Sequence, residues 1–284
     1  MTRMLLVAIA CAGALSACGA SRASTPQATA PAPNAPIPRE PDRLADRLRE
    51  TEAELGGAID RWLQAPAGAR TSAPGEVTLW ALFEQRALRL LARKPALASA
   101  TAVRLPAEVR RKVGSAVSAK RDLDRLTPRS HRRRYKTGRP LPAATLLAYY
   151  RHAQARFGVS WNVLAAVNFV ESAFNKLRND SASGAQGPMQ FIPSTWRAYG
   201  LGGDIHDPRD AIIGAANYLR ANGAPRSNRR ALYHYNPSSL YVDAVLRYAA
   251  EIRRDRRAFY DYYSWQVFVR AAHGDRRLTG PGLR

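Results

Sequence analysis

Within "NFVESAFN", residues 168–175, Glu171 is the only ionisable side chain. Downstream come "SASGAQGPMQFIPSTW", residues 181–196, and Tyr235-Asn236 ahead of Pro237. On a helix beginning at Trp161, Leu164 and Val167 precede Glu171 by seven and four residues, so all three share one face. A carboxyl on an apolar face is desolvated, which disfavours its charged form and raises its pKa. A carboxyl still protonated near neutrality is a general acid. The same placement also suits a buried structural Glu that caps a neighbouring segment. The glycines after it allow backbone to approach a ligand closely. Met189, Gln190, Phe191 and Trp196 supply an amide and apolar faces of the kind a sugar polymer needs. Taken singly, each of these is also compatible with core packing.

The elements that must hold these residues read as helices. Ser160 is placed to cap a helix from Trp161 to about Ala173. "ATLLAYYRHAQARFG" is amphipathic and closes at Gly158. In "HDPRDAIIGAANYLRANG" Asp207 is the expected N-cap, Pro208 the first helical residue and Gly223 the stop. Tyr241–Arg253 is a further helix, and 259–270 a last one covering the core. Upstream, residues 43–64 carry Leu44, Leu48, Leu55, Ile59 and Leu63 at helical spacing. Residues 76–94 repeat the pattern, and 106–125 form a more polar helix. No alternating strand pattern of useful length is present. The expected fold class is all-α: a helical region at 43–127, a basic linker at 128–142 and a functional domain at 143–284.

The N-terminus begins "MTRMLLVAIACAGALSACGA". Arg3 precedes an apolar core, Leu5 to Leu15, that is too short to span a bilayer, as in an export signal. Leu15-Ser16-Ala17-Cys18 resembles the lipobox of bacterial lipoproteins. That implies a signal peptide at 1–17, cleavage before Cys18 and a diacylglyceryl group on its thiol. The alternative is a secretory signal cut near Ala17 or Ala20. Both route the chain to the cell envelope, on the periplasmic face of the outer membrane or the outer face of the plasma membrane. Cys11 and Cys18 are the only cysteines, so the mature domain would hold no disulfide. Residues 18–42 are Ala/Pro-rich and read as a disordered tether.

The chain has 284 residues, 46% of them hydrophobic, with 44 Lys plus Arg against 22 Asp plus Glu, a net charge of +22. Such a field attracts polyanions. An export leader turns that expectation away from nucleic acid and toward anionic envelope polymers or lipid. The five His residues, 131, 152, 206, 234 and 273, have no close metal-ligand spacing. No P-loop, dinucleotide fingerprint or EF-hand is present, so neither metal nor cofactor is expected.

The ordered set Glu171-Ser172, Gly187-x-Met189-Gln190 and Tyr235-Asn236 resembles the catalytic domain of soluble-type lytic transglycosylases, and that of goose-type lysozyme. The likeness runs from about Thr145 to Ala250. Pro188 stands where the family commonly has Leu, and "HYNPSS" departs from "AYNAG". The resemblance implies a lysozyme-like helical domain that cleaves the β-1,4 bond following N-acetylmuramic acid in peptidoglycan. Glu171 would protonate the leaving oxygen, then take the C6 hydroxyl proton as a 1,6-anhydro ring closes. No water attacks, so no second carboxylate is needed, unlike paired-carboxylate glycosidases. The resemblance also implies that Ser181, Met189 and Gln190 line the cleft, that Tyr235 orients Glu171 and that Asn236 holds its loop. A hydrolytic muramidase, with Asp180 or Asp204 as second carboxylate, and a non-catalytic wall-binding or scaffold protein are the alternatives.

Overall fold

The computed structural model describes residues 28–129, 134–272 and 274–283. The leader and Cys18 lie outside them. The leucine spacing of 43–64 produces α1 (Pro41–Gln64), which buries Leu44, Leu48, Leu55, Ile59 and Trp62. Its Pro41 sits in the first turn, where a missing N–H breaks no helical bond. α2 (Gly75–Arg93) buries Val77, Trp80, Leu88 and Leu91. A short α3 (Pro95–Ala102) leads to α4 (Ala107–Leu126), which buries Val113, Ala116 and Val117.

The second half follows the predicted starts and stops. α5 (Ala143–Phe157) ends at Gly158, whose φ of 74° takes the left-handed form and whose N–H reaches the Gln154 carbonyl at 2.8 Å. α6 (Trp161–Ser172) has Ser160 at its cap position, but the Ser160 side chain makes no capping bond. Gln154 does that work from α5, its Oε1 accepting from Trp161 N–H at 2.7 Å. α7 (Pro193–Tyr199) precedes α8 (Pro208–Ala221). Asp207 caps α8 as expected, its carboxylate accepting from the N–H groups of Arg209 and Asp210. Asp207→Ala should therefore cost about 1 kcal/mol, read as a lower denaturation midpoint with an unchanged slope.

α9 (Asn228–Tyr235) and α10 (Ser239–Arg254) complete the helices around Glu171. The aromatic tail departs from the expected single helix. α11 (Arg257–Ser264) stops early. β1 (Phe268–Ala271) then pairs antiparallel with β2 (Gly274–Arg277), Phe268 opposite Arg277. Strands of four residues are too short to show a period in sequence.

One apolar core runs without a break from Leu44 to Trp265. α1 lies along α2, and α4 lies along both α2 and α10. An ionic cluster reinforces this union: Lys112 Nζ of α4 lies 2.6 Å from Glu52, 3.0 Å from Glu84 and 3.1 Å from Asp261 of α11. Burial, then the Asp261 charge, pushes Glu84 up to about 8, so the excess carboxylate is accommodated as a neutral acid. The N-terminal helices are thus part of the body around Glu171.

One expectation needs correction here. Residues 28–40 are ordered against the body rather than forming a free tether. Ala28, Ala30 and Ile37 pack on the core, and Arg86 Nη1 donates to the Ala35 carbonyl at 2.7 Å. The sparse apolar side chains of this stretch find a surface that its composition does not reveal. The described part of the basic linker, 134–142, is pinned as well. Gly138 N–H donates to the Lys176 carbonyl at 3.0 Å, and Arg178 N–H to the Lys136 carbonyl at 2.9 Å. No helix among the described residues is long and apolar enough to cross a membrane.

Candidate active site

Glu171 occupies the last turn of α6. The chain then reverses through Ala173, Phe174 and Asn175, all with positive φ of 51°, 61° and 64°. Three such non-glycine residues in a row are costly and persist only where the surroundings fix them. Phe174 is fully buried, and Asn175 N–H donates to Ser172 Oγ at 2.9 Å. Lys176 anchors the far side, its Nζ donating to the carbonyls of Tyr263 and Trp265. Burial pushes that amine down to about 7.

The turn after Glu171 in space is Gln186–Phe191. Gln186 and Phe191 exchange two backbone bonds of 2.9 Å. α6 holds this turn by the Pro188 carbonyl, which accepts from Ser172 Oγ at 2.6 Å and Asn168 Nδ2 at 2.8 Å. Tyr150 of α5 fixes the Asn168 amide through a 2.7 Å bond. Gly187 has φ +73°, and a Cβ there would lie 1.9 Å from the Ile205 carbonyl oxygen. Only glycine fits.

The predicted site residues divide by what they touch. Glu171, Ser181 and Gln190 line one cleft of about 680 Å³, together with Asn179 and Asp180. Gln190 Nε2 is aimed by the Gly187 carbonyl at 2.9 Å. Ser181 Oγ accepts from Ala185 N–H at 2.9 Å. Met189, expected on the cleft wall, is instead completely buried. Its apolar side chain anchors the turn from beneath. Tyr235, expected to orient Glu171, donates its hydroxyl to the Met189 carbonyl at 2.6 Å. It holds the turn and not the acid. Asn236 terminates α9, its N–H reaching the Leu232 carbonyl and its own carbonyl accepting from Ser238. Asp204 is turned toward the α8 start, its Oδ1 accepting from His206 N–H at 2.8 Å, which leaves Asp180 as the cleft's second carboxylate on this wall. His206 lines a separate cavity behind Gly187, and His234 lines another.

Tyr241 of α10 is the residue that sequence reasoning missed. Its hydroxyl donates to Glu171 Oε1 at 2.5 Å. Tyr241 is buried with Val245, Tyr248 and Ile252 on one face of α10, and that stripe reads as packing until its partner is known. Asn168 was missed for the same reason: an amide three residues before Glu171 on a buried helix face.

Burial pushes the Glu171 carboxyl from 4.5 up to about 7, and the Tyr241 bond opposes this by favouring the ionised form. Tyr241 is itself driven well above its ordinary value, first by burial and then by the Glu171 charge, so its hydroxyl remains a donor throughout. Tyr241→Phe removes the one influence that lowers Glu171. The carboxyl should then titrate roughly one unit higher in a carbon-13 NMR titration. An unchanged or lower value would mean that the tyrosine does not act on the acid.

The cleft's other wall comes from α2, α4, Thr127, Pro128, Arg129, Tyr135 and β1. Glu171 therefore sits between two structural contributions and opens to one groove. A buried, protonatable carboxyl with a fixed donor and an amide on the same cleft is chemically equipped for proton transfer to a bound ligand.

Residues 148–254 match the family described as the Transglycosylase SLT domain. The match runs from within α5 to the end of α10, the helices that hold Glu171, and the fold there is lysozyme-like and helical. A stretch of 81 residues is 33% identical to membrane-bound lytic murein transglycosylase F of Thiobacillus denitrificans (strain ATCC 25259 / T1). That stretch is 28% of this chain and 17% of the relative, so most of the relative has no counterpart in the alignment. No solved structure matches the chain.

Proposed function

We propose that this protein is a lytic transglycosylase of peptidoglycan. It cleaves the β-1,4 bond between N-acetylmuramic acid and N-acetylglucosamine and leaves 1,6-anhydro-muramic ends. The observation that carries the reading is Glu171 itself, a cleft carboxyl held up to about 7 and aimed by Tyr241. Protonated, it delivers its proton to the leaving glycosidic oxygen. Ionised, with its charge supported by the Tyr241 hydroxyl, it accepts the proton of the C6 hydroxyl as that oxygen closes on the anomeric carbon. The proton count balances, and one carboxyl serves both steps. Gln190 and Ser181, both lining the same cleft, supply polar contacts to the sugar, while Gly187, Met189 and Tyr235 keep the Gln190 turn in place.

Asp180 on the same cleft supports a second reading, a hydrolytic muramidase in which it activates water. Product mass spectrometry on purified sacculi separates the two. Anhydro-muropeptides with wild type and none with Glu171→Gln support the transglycosylase. Reducing ends that vanish with Asp180→Asn would replace it by the hydrolase. Export, lipidation at Cys18 and placement in the envelope belong to the same proposal. They rest on the leader sequence and on the membrane-bound relative. The net charge of +22 supports adhesion to anionic envelope polymers or lipid.

A further inference from the structure

The wall opposite Glu171 lies outside residues 148–254 and is strongly cationic. Among its described residues it carries Arg89 of α2, Lys120 of α4, Arg129, and Arg270 of β1, against the single carboxylate of Asp124. Asp124 is shared, pairing with Lys120 and lying 3.8 Å from Arg270 Nε. Arg89 pairs with Asp275 at 2.9 Å. Arg129, which is exposed, donates to a neutral acceptor, the Ala272 carbonyl, at 2.8 Å. Four cations thus meet two carboxylates. The surplus is held where water is partly excluded: the Lys120 amine is driven down by burial and by the charge of Arg89. Positive charge concentrated in a cleft with apolar flanks focuses its field on whatever occupies the groove.

The sugar rings of a glycan strand do not need such a wall. The peptide stem, hung from the lactyl group of N-acetylmuramic acid, does, because its free carboxylates carry the strand's negative charge. We propose that Arg89, Lys120 and Arg129 form a docking wall for stem-peptide carboxylates, so that the N-terminal helices select strands with charged stems. This rests on the peptidoglycan-cleaving function proposed above. It assigns α2 and α4 a role in the groove beyond scaffolding. Arg270 is a positioning residue for this wall, since its guanidinium also donates to the Thr127 carbonyl at 2.6 Å.

The test compares kcat/KM on native sacculi and on sacculi whose stem carboxylates have been converted to amides. Wild type should favour the native substrate about five- to tenfold, the combined effect of two or three partly exposed ion pairs. The preference should shrink at high salt. In the Lys120→Gln/Arg129→Gln variant the ratio should fall to about one, and in Arg129→Gln alone, at an exposed site, to an intermediate value. Equal wild-type rates on the two substrates would overturn the docking wall while leaving strand cleavage intact. So would a preference that survives both substitutions. Product from neither substrate would remove the cleavage reading and the wall with it.

Discussion

Glu171→Gln is expected to lower glycan-strand cleavage by about 10⁴-fold, the upper end of what a positioned acid or base contributes, because in the proposed reaction one carboxyl performs both proton transfers. The amide keeps the shape of the side chain and can still accept from Tyr241, so the fold should persist. Wild type should show its counterpart in pH dependence. The first step needs the protonated acid, and burial holds Glu171 at about 7. kcat/KM should therefore fall about tenfold per pH unit above that value. Stability should move as well. A carboxyl raised from 4.5 to about 7 on folding contributes stability that is whole below 4.5 and is lost as pH rises through 7. Glu171→Gln should accordingly gain thermal stability relative to wild type at pH 8 compared with pH 4. A variant as active as wild type, or a flat profile across pH 6 to 9, would remove Glu171 from the mechanism.

Gly187→Ala is the second large effect. The added Cβ meets backbone, the Ile205 carbonyl oxygen at 1.9 Å, and it must do so at φ +73°. No rotamer relieves a clash with a carbonyl, so the turn or the Ile205 segment must move. The left-handed backbone adds about 1–2 kcal/mol of its own. A total loss of about 2–4 kcal/mol is expected in chemical denaturation, from combined overpacking and strain. The same movement would pull Gln190 from its 2.9 Å bond to the Gly187 carbonyl, so activity should drop beyond what lost stability explains. Gly184→Ala is the matched control. It also has positive φ, but nothing lies within 4 Å of its Cβ position, and it should cost only the backbone term.

Much of this molecule is legible along the chain. Apolar spacing locates α1, α2 and α8, and local chemistry fixes the Gly158 stop and the Asp207 cap. Glu171 and Gln190 are found because an acid on an apolar face and an amide after a glycine turn are local patterns. The Tyr241 bond spans seventy residues of sequence, and no local pattern encodes it. Tyr235 and Met189 show the reverse problem. Their residue types suit a sugar cleft, but Met189 gains more from complete burial, and the Tyr235 hydroxyl finds the Met189 carbonyl left by the turn. The β-hairpin was hidden by its brevity, and the docking of residues 28–40 by a composition poor in large apolar groups.

The sequence by itself determined the helical class and set a lone carboxyl, Glu171, on the apolar face of its helix, since both follow from spacing within a few turns. Only the tertiary structure decided which tyrosine holds the acid, which side chains face the cleft, and that α2, α4 and β1 supply its opposite wall. Those outcomes depend on how helices far apart in sequence pack into one continuous core, and packing is decided by shape and buried surface summed over the whole molecule.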